Sequence, residues 1–76
     1  MNETTEQYVL TENVDNAGDV EIGRYGSEGL AKQAAEHRAN QQHGQALQWH
    51  TFPGGNLLGT GHLKRPQVNY EIKRVG

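Results

Sequence analysis

Hydrophobic and polar positions alternate in several short stretches of the chain and recur at helical spacing in one longer stretch. The segment QYVLTEN, residues 7–13, has strand length and β-propensity. Tyr8 and Leu10 share one of its faces and Val9 and Thr11 the other, and Tyr8 and Leu10 are predicted to point inward. The segment DVEIGRY, residues 19–25, repeats the pattern, with Val20 and Ile22 expected inside and Glu21 outside. Between them lies VDNAGD, where Asp and Asn tolerate left-handed backbone and Gly18 adopts it freely. The two strands are predicted to form a hairpin.

The period then changes. From Ser27 to Gly44 the chain predicts one helix. Ser27 is suited to cap its start, Glu28 lies in the first turn, and Gly44 is suited to end it. Leu30, Ala31, Ala34, Ala35, Arg38 and Ala39 fall within helical spacing of one another. A face built mostly of alanine lets the helix backbone lie close to a sheet.

Period two returns in ALQWHTF, residues 46–52, where Leu47 and Trp49 are expected inside. A turn at PGGN follows, then LLGTGHL, a poor strand because two glycines weaken it. The last segment, QVNYEIKRV, places Val68, Tyr70 and Ile72 on one face. Residues 1–6 are expected to be disordered and residues 7–76 to form a single small α+β domain. Its order is β-β-α-β-(β)-β, mostly antiparallel, with one helix packed on one face. One sheet order consistent with the pattern is 2-1-3-4-5.

Composition narrows the function classes. Seventy-six residues give one thin core and little room for a deep cleft. The absence of cysteine removes disulfides and thiolate metal sites and fits a reducing compartment. No apolar run approaches the roughly 20 residues that span a bilayer. The polar start MNETTEQ lacks the pattern of a secretory signal, so a cytoplasmic protein is expected. Residues 1–23 carry six acidic side chains and no basic one, whereas Lys64, Arg65, Lys73 and Arg74 lie near the other end. Opposite charge suits terminal strands that lie near each other in one sheet. The alternative is a basic face for a polyanion.

Candidate chemistry is sparse. His37, His43, His50 and His62 have no metal-ligand spacing, and on a helix His37 and His43 diverge by about 240°. Ser27, the only serine, is better used as a cap than as a nucleophile. Glu36 and His37 are adjacent on the helix and diverge by about 100°. Trp49, Tyr70, Tyr25 and Tyr8 suit a core better than a base-stacking platform. No cofactor is expected, and the chain reads as non-enzymatic.

The segment FPGGNLLGTGHLKRPQ, residues 52–67, is the most unusual. Gly54 and Gly59 have P-loop separation, but Thr60 occupies the lysine position and no helix follows. A weakly paired hairpin, or a mobile finger over residues 53–66, remains. As a finger it would present Leu57, Leu58, His62, Lys64 and Arg65, with Lys73 beyond, to a partner.

The helical segment YGSEGLAKQAAEH and the strand LQWHTF resemble those of small orphan proteins of bacteriophages and actinobacterial genomes, over residues 8–52. The resemblance implies an accessory protein that binds a host protein or another macromolecule. A monomer or a homodimer through a sheet edge is expected, with no membrane partner. Nucleic-acid binding through Lys64, Arg65, Lys73 and Arg74 is the alternative.

Overall fold

A computed structural model of the protein describes residues 7–75; the expected disorder of residues 1–6 lies outside them. Strands β1 (Gln7–Val14) and β2 (Asp19–Tyr25) precede helix α1 (Glu28–His43), and β3 (Leu47–Thr51), β4 (Leu57–Gly61) and β5 (Val68–Val75) follow. The strands form one antiparallel sheet in the order β2-β1-β5-β4-β3. The α+β class, the single helix and the antiparallel pairing are as the sequence predicts.

Local chemistry explains each boundary. Asp15 and Asn16 adopt φ values of 55° and 59°, and Ala17 N–H donates to the Val14 carbonyl at 3.0 Å. Left-handed backbone at both central positions matches the right-handed twist of a hairpin, which is why Asp-Asn joins β1 to β2. The Ser27 hydroxyl accepts from Leu30 N–H at 3.2 Å and caps α1. At the other end Gly44 takes φ 63° and its N–H donates to the Asn40 carbonyl at 3.1 Å.

The core lies between α1 and the sheet. Ala31, Ala35 and Ala39, spaced by four, are fully buried against Leu10, Leu57, Val68, Tyr70 and Ile72. Small residues along one helix stripe let the backbone approach the strands beneath it. Tyr8 and Leu10 face the helix as expected, as do Leu47, Trp49, Val68, Tyr70 and Ile72.

Three expectations are corrected. The sheet order is not 2-1-3-4-5, because β5 inserts between β1 and β4. Residues 57–61 are not a mobile finger, because β4 pairs with β3 on one side and β5 on the other. Val20, expected inside, is more than half exposed, and so is Leu30 on the helix. Val20 lies near the end of the edge strand β2 and Leu30 in the first turn of α1, where too little structure faces them to complete a core.

Candidate functional site

Ionisable side chains converge at Glu12, in the middle of β1. Its parity with Tyr8 and Leu10 turns it toward α1, where it is 8% exposed. Arg38 Nε donates to Glu12 Oε2 at 2.8 Å and Arg38 Nη2 to Oε1 at 3.4 Å. The Tyr70 hydroxyl, from the adjacent β5, donates to Oε2 at 2.6 Å. His43 Nε2 lies 3.4 Å from the same oxygen without hydrogen-bond alignment.

Burial by itself would raise the Glu12 carboxyl. The hydrogen bonds from Arg38 and Tyr70 and the charge of Arg38 outweigh it and hold the carboxyl below its ordinary value of 4.5. Tyr70 moves the other way. Burial, then its hydrogen bond to the carboxylate, pushes the phenol well above its ordinary 10.0. Glu12 also raises the Arg38 guanidinium. The carboxylate is thus held ionised and fully occupied beneath the helix. A group so placed pins α1 to β1 and β5, with both carboxylate oxygens accepting hydrogen bonds.

Among the described residues, the opposite sheet face carries no helix. Pairing parity places Val9, Thr11 and Asn13 of β1 there, with Asn69, Glu71 and Lys73 of β5, Leu58 and Thr60 of β4, and Gln48 and His50 of β3. Thr11, Asn13, Asp19, Leu58, Asn69 and Glu71 border a shallow hollow of about 260 Å³. Asn13 Nδ2 donates to Asp19 Oδ1 across its rim at 2.9 Å. Charges on this face are mixed: Arg24 pairs with Glu21 at 3.4 Å and Lys73 with Glu71 at 3.8 Å.

The predicted partner-binding residues do not come together. Leu57 is 3% exposed and faces the helix, so it belongs to the core and not to a binding surface. Leu58, its neighbour in β4, is half-buried on the helix-free face. His62 accepts through Nδ1 from Ala46 N–H at 2.9 Å, beside the start of β3. Lys64 and Arg65 are exposed in the β4–β5 loop, ahead of a cis Arg65–Pro66 bond. Lys73 lies five positions beyond Val68 along β5, or about 17 Å at strand rise. Arg74 turns to the other face, opposite Tyr8. The four cations therefore form no continuous strip. Among the described residues, no three His, Asp or Glu side chains are grouped to hold a metal ion. The one helix among the described residues is not long and apolar enough to cross a membrane.

Gln45 is a buried polar residue without a predicted role. It is 1% exposed, and its Nε2 donates to the Pro66 carbonyl at 2.6 Å while Oε1 accepts from Leu63 N–H at 3.4 Å. It thereby anchors the basic loop to the start of β3. The Glu12 group did carry a signal: Arg38 falls on the alanine face of the helix, and Glu12 has the inward parity of Leu10. No family model, curated protein or solved structure matches this chain.

Proposed function

We propose that the protein is a non-enzymatic binding module that engages a host protein through its helix-free sheet face and the adjoining 53–66 segment. One observation carries this reading: among the described residues, a five-stranded sheet is covered by a helix on one face only. The other face offers half-buried Val9, Thr11, Leu58, Thr60, Asn69 and Glu71. Such a mixture of apolar and hydrogen-bonding groups suits a protein surface. The resemblance to small phage-encoded proteins supports an accessory role of this kind in the cytoplasm. Binding of nucleic acid is the weaker reading, since the cations lie at opposite ends of β5 and Lys73 already pairs with Glu71.

The test is capture from a host-cell lysate on immobilised protein, run beside the Leu58→Arg variant. The expected result is a protein retained by the wild type and lost by the variant, with both folded by circular dichroism. Equal retention by both would remove the sheet face as the contact surface.

A further inference from the structure

The two edges of the sheet are built differently. The β2 edge carries Asp19, Glu21 and Arg24, and its register with β1 slips between Leu10 and Thr11. Charges and bulges of this sort keep an edge from pairing with another chain. The β3 edge, Leu-Gln-Trp-His-Thr, has no charged residue, no proline and an unbroken register with β4 from Leu47↔Gly61 to Thr51↔Leu57. It has none of the protection that β2 has.

The ladder fixes which backbone groups this edge presents. Phe52 N–H donates to the Asn56 carbonyl at 2.8 Å, and His62 N–H to the Ala46 carbonyl at 3.1 Å. In an antiparallel pair, bonded positions alternate. Ala46, Gln48, His50 and Phe52 therefore point their amides and carbonyls toward β4. Leu47, Trp49 and Thr51 point theirs outward, away from the sheet. The Trp49 ring leans the other way, over Gly59, where a Cβ would come within 2.8 Å of it. It leaves the outer backbone uncovered.

We propose that this edge pairs with the same edge of a second copy, forming a ten-stranded sheet about a two-fold axis at Trp49. The strand is self-complementary in that register. Its three outward positions are symmetric about Trp49, so Leu47 bonds Thr51 of the other copy, and Trp49 bonds its own counterpart. On the helix-free face, Gln48 stands opposite His50, an uncharged pair able to hydrogen-bond. Phe52, 43% exposed, stands opposite the small, exposed Ala46. Each end of the contact thus covers an aromatic ring that the single chain leaves in water. Among the paired strand residues no like charges meet across the axis, which favours a second copy over a partner of opposite charge.

Sedimentation equilibrium up to roughly 300 µM tests this, a range that detects association weaker than micromolar. The wild type should approach twice the 8.4 kDa chain mass. The double variant Gln48→Glu/His50→Glu sets carboxylates opposite each other at both central pairs and should remain monomeric. Gln48→Lys/His50→Lys should do the same. Both positions are exposed, so the fold should persist by circular dichroism. An equimolar mixture of the two variants should recover the doubled mass. A monomeric wild type, a dimer that survives the Glu/Glu change, or a mixture that stays monomeric overturns the proposal.

Discussion

Glu12 and Arg38 are unequal partners, and their removal should show it. Arg38→Ala leaves a carboxylate beneath the helix with its main donor gone, and is expected to cost about 2–3 kcal/mol. That is below the 3–5 kcal/mol for breaking a fully buried pair, because a third of the Arg38 side chain is exposed to water. Glu12→Gln leaves a guanidinium that can turn outward, and should cost about 1–2 kcal/mol by urea denaturation. The Glu12 carboxyl is lower in the folded chain than its ordinary 4.5, so its contribution is present above that pH and is lost as pH falls below it. Tyr70 is raised, so its contribution is full below pH 10.0 and is lost only at higher pH. Urea midpoints measured against pH should therefore lose part of their acid slope in Glu12→Gln and part of their alkaline slope in Tyr70→Phe. An unchanged slope in either variant would contradict this account. Both inward positions were legible, Arg38 from helical spacing and Glu12 from strand parity. Their meeting was not, because it depends on which strand lies under the second half of α1.

At the scale of elements, β4 shows how glycine can mislead. In the sequence Gly59 and Gly61 weaken the strand prediction. Their missing side chains instead leave space on the helix-facing side. The Trp49 ring fills the gap at Gly59, and the buried amide of Gln45 fills the gap at Gly61, where a Cβ would overlap its Oε1. The sequence did hold a trace of this, since the two glycines are spaced by two and fall on one face. Gly59→Ala should then destabilise by more than the usual strand preference, by about 1–3 kcal/mol, because the ring must shift. Trp49→Ala should cost about 2–3 kcal/mol, the low side for tryptophan, since the residue is only partly buried. Amide exchange separates the elements further. Leu57, Leu58 and Gly59, paired on both sides, should exchange slowly, whereas Gly54 and Gly55 in the β3–β4 turn should exchange fast. The Asp-Asn turn and the Ser27 and Gly44 caps were legible outright, since each rests on the conformational preference of single residues.

For the whole molecule, the scattered cations predict no affinity for polyanions. Duplex DNA at low salt should leave the chain free at about micromolar concentration by fluorescence anisotropy, without the salt-dependent binding that phosphate contacts confer. The opposite charges of the two chain ends did point to neighbouring strands, and β1 and β5 pair along eight positions. The charges themselves are offset along the ladder, with Glu12 opposite Tyr70 and Lys73 opposite Val9, so they could not fix the register. Strand order stayed hidden because alternation tells a strand which face is inward and not which neighbour it has. That order has a consequence in time. Until β5 is made, β1–β2 and β3–β4 are two separate ribbons, and isolated two-stranded ribbons are marginal in water. The last eight-residue strand closes both halves at once, joining Gln7 to Val75 across almost the whole sequence. Contacts so distant along the chain slow folding, because the entropy of closing the loop is lost before any contact offsets it. A circular permutant that links Val75 to Gln7 and opens the chain at Tyr25–Gly26, between β2 and α1, turns this longest-range pairing into a local hairpin and leaves every strand pair adjacent in sequence. It should refold faster than the natural connectivity while unfolding from the same sheet.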